Sequence, residues 1–432
     1  MPLHRSMNRA KIVFIIFGLL CLFLKIYFIS ISNPHLLFCY DEQRNYTIAA
    51  NHAQGKGYGI YDEKMANHYR LSAFHTSSTV FLDQFLISAH IPQRTAVIVF
   101  YILSTTLYLL AVFYFYRILQ TLAVPPAITY TATAIFALYP SVTYAVGPIY
   151  HYDNIVMPLH VINFYYLLQW IKRRPVTLTN KVLLLLSITL CCFLRSQVLV
   201  LYFLTGCLLL FIYLKNLVTT KHADLHIPIF LTGLAISIVL VYIPTLIKNK
   251  SMFNAYIIST QSGYEFLQGH NGFQKGNFKT PYPNTPLNLY VRSREPLIDS
   301  MDEYTESKVR SQLAWEWIKA HPGKECFYIL KKTARYFMPE NANLSHIKSV
   351  FRYHPFNIFV HFVFIVSILL LLLKHRSVLY SQEVLLLGIP VIASILLSVI
   401  YFFDFRLRYH AEPFIIILAA YLATRYNSLK SE

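Results

Sequence analysis

Residues 94–116 read RTAVIVFYILSTTLYLLAVFYFY, with no acid and no lysine before Arg117 closes the run. A helix needs about 20 apolar residues to cross the hydrocarbon core of a bilayer. This stretch meets that length, and comparable runs lie at 12–32, 127–146, 153–171, 181–195, 197–214, 226–247, 356–373, 383–403 and 410–425. Together they predict an all-α polytopic membrane protein with about ten transmembrane helices. The run at 181–195 is short, and only Arg195, Ser196 and Gln197 part it from the next. That pair reads as a tight hairpin or as one broken element. Composition points the same way. Only 13% of the residues are charged, against about a quarter in soluble domains.

The formal charge of +18 suggests nucleic acid at first. Its distribution argues against that, because basic residues gather in short loops between the apolar runs. One set of loops holds Arg5, Arg9 and Lys11, then Arg117, then Lys172, Arg173, Arg174 and Lys181, then Lys215 and Lys221, then Lys374 and Arg376, then Arg425 and Lys430. Basic loops stay cytoplasmic, so both termini are expected there. The N-terminus is basic and then apolar, as in a signal peptide, but no small-residue cleavage pattern follows, and a retained first span is expected.

Two segments are too polar to span, roughly 33–93 and 248–355, and both fall on the outer side. They divide the chain into an N-terminal membrane module (1–247) with a first outer loop, a large late outer loop (248–355) and C-terminal membrane helices (356–432). In the first loop, Asp41 to Gln54 suits a helix ended by Gly55, Gly57 and Gly59. FHTSSTVFLDQFLIS (74–88) suits an amphipathic helix on the membrane surface. The late loop has a Pro/Asn-rich part, KTPYPNTPLN, and a charged helix, SMDEYTESKVRSQLAWEWIKAHP, stopped by Pro322 and Gly323. There is no sequence repeat, no GxGxxG and no P-loop. The six cysteines form no CxxC or other metal-ligand spacing.

Chemistry concentrates on the outer side. Asp41 and Glu42, in YDEQRNY, follow the first span directly. An acid there caps a surface helix, or it faces a lipid-borne substrate. Capping does not exclude the second role, since it also keeps the acid ionised. Arg195 in CCFLRSQ, and Arg406 and Arg408 in YFFDFRLRYHAEPF, sit at outer helix ends. They either snorkel, with Asp404 as a partner for the last two, or form an anion site for a lipid phosphate. Asp153, after His151, opens the fourth span as a cap or as a ligand for substrate or metal. GYEFLQGHNGFQKGNF (263–278) carries His270 and Asn271 among glycines that permit tight turns. It reads as an ordinary turn or as a loop folding over the cavity. No histidine pair has HExxH spacing. A divalent cation is possible but not indicated, and no cofactor can be named.

The order of these motifs resembles the GT-C superfamily of membrane glycosyltransferases. It is most similar to the branch holding protein O-mannosyltransferases and the aminoarabinose transferase. YDEQRNYTIAANHAQGKGYG resembles the family's first outer loop. LYPSVTYAVGPIYHYDNIVMPLHVINFYYLLQWIKRR is similar to its third and fourth spans. QGHNGFQKGNF resembles the stretch opening the late loop, and SQLAWEWIKAHPGKECFYILKKTARYF the helix after it. FRLRYHAEPFIIILAAYLA resembles the final span, Tyr409 included. The resemblance implies Asp41 as catalytic base and Glu42 as the second acid of a pair. It places Asp153 where many relatives carry Glu. It also implies a bacterial inner membrane. RLSAFHTSST stands where relatives often have a proline-rich stretch, so the acceptor entrance differs.

The expected reaction is inverting transfer of a sugar from a polyprenyl phosphate to a lipid, glycan or protein acceptor on the outer, periplasmic side. A lipid phosphate leaves as an anion without protonation. One carboxylate therefore suffices as base, while arginines meet the developing charge. In this scheme Arg195, Arg406 and Arg408 bind phosphate, and Asp153, His270, Asn271 and Tyr409 bind substrate. The rival readings are an O-antigen ligase or polysaccharide polymerase, which does not need the first-loop acid, and a lipid or sugar transporter.

Overall fold

The computed structural model describes residues 40–61, 69–74, 77–138, 151–219, 224–274, 285–337, 355–402 and 405–431, with residues 16, 19, 20 and 23 besides. The first expected span and residues 139–146 of the third therefore lie almost wholly outside the described residues. Of the described residues, 82% are helical, as in an all-α membrane protein. Among the described residues, four helices are long and apolar enough to cross a membrane: Thr95–Thr121, Val198–Thr219, His226–Phe253 and Gln382–Ile400.

The first polar loop forms α1 (Tyr40–Ala53), a two-stranded antiparallel ribbon of β1 (Gly59–Tyr61) and β2 (Tyr69–Leu71), and α2 (Ser77–Ser88). Gly55 (φ +76°) and Gly57 (φ +86°) end α1 in backbone that side chains resist. Ile48, Ala49 and Val80 bury the contact between α1 and α2.

The first bundle helices are α3 (Gln93–Thr121), α4 (Pro126–Leu138), α5 (Asp153–Ile171), α6 (Leu178–Leu194), α7 (Val198–Thr219) and α8 (His226–Phe253). Arg195–Gln197 turn the chain between α6 and α7, and the two helices run back as a hairpin. At one end Arg195 meets Asp153, the first residue of α5. At the other, Lys181 lies over the Trp170 ring near the end of α5. Helix α5 is the interior element, packed along α3 and α6. Its buried residues include Asn154, His160, Asn163 and Gln169 beside Val156, Val161 and Phe164. That polarity explains why a helix of bilayer-spanning length is not among the four apolar spans: its neighbours are protein.

The late loop forms α9 (Gln261–Gly269), α10 (Pro286–Arg294), α11 (Glu303–Ala320) and α12 (Pro322–Tyr336). Asp302 caps α11, accepting the N–H groups of Tyr304 and Thr305 at 2.9 Å. The charged helix stops before Pro322 and Gly323 as expected, at Ala320. Pro322 then starts α12, because proline at a first helical position lacks only an N–H that would go unpaired anyway. GYEFLQG was expected as part of a turn or a loop and is part of α9, a regular helix. Its glycines serve close packing, because a Cβ on Gly263 would lie 1.9 Å from the Ser307 carbonyl oxygen. The chain closes with α13 (Pro355–Lys374), α14 (Gln382–Ile400), the short α15 (Phe405–Tyr409) and α16 (Glu412–Ser431), with α16 packed between α13 and α14.

Two buried polar clusters hold the loops in place. Glu303 accepts from Arg44 Nη2 (2.6 Å), the Ser72 hydroxyl (3.0 Å), the Ala73 N–H (2.7 Å) and the Thr260 hydroxyl (2.7 Å), so the first loop is joined to the late one. Glu306 adds ion pairs with Arg70 and Arg310. The second cluster receives the free carbonyls ending α14. Lys332 Nζ donates to Val399 and Tyr401 (both 3.0 Å), and His270 Nε2 donates to Ile400 (2.6 Å). Burial lowers the Lys332 pKa to about 8, opposed by the Glu325 carboxylate. Gly269 sits against the same carbonyls, where an added Cβ would lie 1.4 Å from the Tyr401 oxygen. Gly269→Ala is therefore expected to destabilise the protein by about 2 kcal/mol or more. Gly388→Ala, where a Cβ meets nothing within 4 Å, should leave the thermal transition in detergent unchanged.

Candidate functional site

The fold brings Asp153 to the end of α5 nearest the first loop, with 4% of its surface exposed. Its carboxylate is met by three elements. Arg195, at the α6–α7 turn, grips it side-on, Nε to Oδ1 at 2.7 Å and Nη2 to Oδ2 at 3.1 Å. His151 Nδ1 lies 3.1 Å from Oδ2, and His410 Nε2, from the turn before α16, lies 3.2 Å from Oδ1. Arg195 can reach inward because α6 stops there: its backbone is extended at φ −142°, ψ 106°. Its side chain is about one-fifth exposed. Nη1 has no hydrogen-bond partner among the described residues.

Glu42 lies in the first turn of α1, 2% exposed. Asn45 Nδ2 donates to its Oε2 at 2.9 Å. Burial raises its pKa to about 8. The Asn45 hydrogen bond and the Arg195 charge oppose the rise, and Asp83 and Asp41 add to it. The first loop's acids thus share an electrostatic neighbourhood with Arg195. Asp83, projecting from α2 and 1% exposed, is within 3.4 Å of the Tyr152 hydroxyl. Asp41 is half-buried on the same turn as Glu42.

A polar string leads from Asp153 into the bundle. The His410 and His160 rings stand edge to face, their centroids 5.2 Å apart. His160 Nδ1 lies 2.8 Å from the Tyr202 hydroxyl, which also accepts from Asn163 Nδ2 at 2.8 Å. Among the described residues, His410 Nδ1 and His160 Nε2 have no hydrogen-bond partner.

Of the nine residues singled out in the sequence, the structure gathers Asp41, Glu42, Asp153 and Arg195. Tyr409 adjoins them, buried, its hydroxyl unpartnered among the described residues and close enough to sense the Asp153 charge. Arg408 differs from expectation. It is 1% exposed, pairs with Glu412 at 3.0 Å and donates to the Tyr336 carbonyl at 2.9 Å. Glu412 opens α16 four residues on, across the turn from α15, and takes up the guanidinium inside the protein. The Arg406 side chain lies outside the described residues, as does Asp404. His270 belongs to the α14 cluster, its Nδ1 2.7 Å from Glu325. Asn271 is spent on the backbone: it donates to the Leu267 and Gln268 carbonyls and accepts from the Phe273 and Gln274 N–H groups. Sequence reasoning passed over Asp83, His410 as a partner of Asp153, and Glu303. Of these only Asp83 left a signal, as the one acid in the otherwise apolar TVFLDQFLIS.

Among the described residues, no group of three or more His, Cys, Asp or Glu side chains is arranged to hold a metal ion. No known protein family matches the chain, and no curated protein matches its sequence.

A carboxyl whose folded pKa stands above its unfolded value binds more protons folded than unfolded, so stability falls as pH rises between the two. For Glu42 that window runs from about 4.5 to about 8. The melting temperature in detergent is expected to fall across this range, and Glu42→Gln should flatten the fall. A wild-type slope retained in Glu42→Gln would place the titration elsewhere.

Proposed function

We propose that this protein is an inverting glycosyltransferase of the GT-C type, taking a sugar from a polyprenyl phosphate on the outer face of a bacterial inner membrane. The ten-span bundle and the cytoplasmic termini belong to the same proposal. The observation that carries it is Arg195. Asp153 fixes this guanidinium through Nε and Nη2, and Nη1 is left unengaged among the described residues beside the first-loop acids.

In this reading Asp41 takes the proton from an acceptor hydroxyl as its oxygen attacks the anomeric carbon. The bond from that carbon to the phosphate oxygen breaks, and polyprenyl phosphate leaves as an anion. Arg195 faces that charge as it develops. Attack opposite the leaving group inverts the centre. Glu42, held protonated near neutral pH by burial, is unsuited to remove a proton and instead orients the acceptor. Asp153 and Tyr409 shape the donor side. The acceptor is a lipid, glycan or protein.

A transporter is the second reading, favoured by the string from Asp153 through His410 and His160 to Tyr202, since buried acid–histidine chains also carry protons through membranes. Purified protein in detergent, given a radiolabelled sugar on polyprenyl phosphate, separates the two. The expected result is transfer, with kcat at least ~100-fold lower in Asp41→Asn at unchanged expression and melting temperature. Full activity in Asp41→Asn would remove the base. Proton-coupled uptake into proteoliposomes that is lost in His160→Phe, with no transfer activity, would establish the transporter.

A further inference from the structure

Helix α5 runs about 28 Å from Asp153 to Ile171 at 1.5 Å per residue, so its far end is on the opposite side of the bundle from the site above. A cavity of about 570 Å³ opens there, between the ends of α5 and α7 and the starts of α6, α8 and α14. Leu209, Ile212 and Ile227 give it an apolar floor, and Trp170 forms a wall. The Trp170 Nε1–H donates to Asp224 Oδ2 at 2.7 Å, and the Lys181 ammonium lies 4.9 Å above the ring, so the wall is fixed from both sides.

The mouth is positive. Arg173, Arg174 and Lys181 line it against one acid, Asp224, which is already occupied by Trp170 and by the His226 N–H at 2.9 Å. Arg173 ends α5 in left-handed backbone (φ +54°), and the Arg174 N–H bonds back to the Gln169 carbonyl at 3.0 Å. Both arginine side chains are exposed, and neither has a hydrogen-bond or ion-pair partner among the described residues. Leu178, Val218 and Leu225, at or beside the ends of α6, α7 and α8 that frame the cavity, are exposed leucine and valine side chains, a surface suited to lipid tails and not to water. Two unengaged guanidinium forks match phosphate oxygens, and an apolar floor beneath them suits an acyl chain.

We infer that this cavity binds the phosphodiester headgroup of an anionic membrane phospholipid, with the upper part of one acyl chain on the apolar floor. The inference is independent of the proposed transfer reaction, since no residue is shared with the site at the other end of α5. A basic pocket between membrane helices is the arrangement that recognises such headgroups.

The test uses the full-length protein purified in detergent and titrated with phosphatidylglycerol or phosphatidylcholine of identical acyl chains, bound lipid being counted by native mass spectrometry. Phosphatidylglycerol is expected to bind about tenfold or more tighter. Arg173→Gln with Arg174→Gln should abolish that preference, and the paired lysine substitutions should restore most of it. Equal binding of the two lipids would overturn the inference. So would an unchanged preference in the glutamine pair at wild-type size-exclusion behaviour. Glycerol phosphate, the same anion without a tail, should not displace the lipid at millimolar concentration. Displacement would mark a site for soluble phosphates and overturn the lipid assignment.

Discussion

A carboxylate enclosed at the head of an interior membrane helix must be met by positive charge or hydrogen-bonding groups, since an uncompensated buried ion costs several kcal/mol. Asp153 is in that position, and its partners come from three separate places: His151 before α5, Arg195 between α6 and α7, and His410 before α16. Only His151 is near Asp153 in sequence. Satisfying one charge therefore fixes where the α6–α7 turn and the start of α16 lie relative to α5. Other features of that end rest on the arrangement. Burial raises the pKa of Glu42 in the first loop and the Arg195 charge partly opposes it, and the polar string into the bundle begins at His410.

Two further polar clusters set the two polar loops on the bundle. Glu303 draws donors from both loops, while Lys332 and His270 receive the carbonyls at the end of α14. Each solves the same problem. A membrane helix that ends against protein, and a loop that lies over it, both bring backbone groups away from water, and those groups need partners. Side chains of opposite polarity are thereby brought into the interior, and their burial makes the contacts selective for one docking. Close approach adds to this at Gly263 and Gly269, where side chains would collide with the facing backbone.

The helices were largely legible in the sequence, because long apolar runs and basic loops report directly on the bilayer. The expected 153–171 and α5 share both ends, and 226–247 lies within α8. The same holds for α1, whose glycine terminators need positive φ. The late loop was read less well. GYEFLQG looks like a turn by composition, since glycine is there for contact, and contact partners are remote in sequence. The site was half visible. Acids and arginines at helix ends can be listed from the sequence, but which arginine is taken up internally cannot. Arg408 finds Glu412 one turn away and the Tyr336 carbonyl seventy-two residues back. Arg195 keeps part of its fork unengaged among the described residues.

The sequence by itself determined that this is an all-α membrane protein and where many of its apolar helices run. Those properties depend on hydropathy and local conformational preference, which neighbouring residues carry. The tertiary structure alone decided that Asp153 is the hub, that Glu42 is enclosed and held protonated, that Arg408 is internal, and that Arg173 and Arg174 border a cavity floored by α7 and α8. Burial and charge pairing are properties of side chains from distant parts of the chain brought within a few ångströms, and they exist only once the helices are packed.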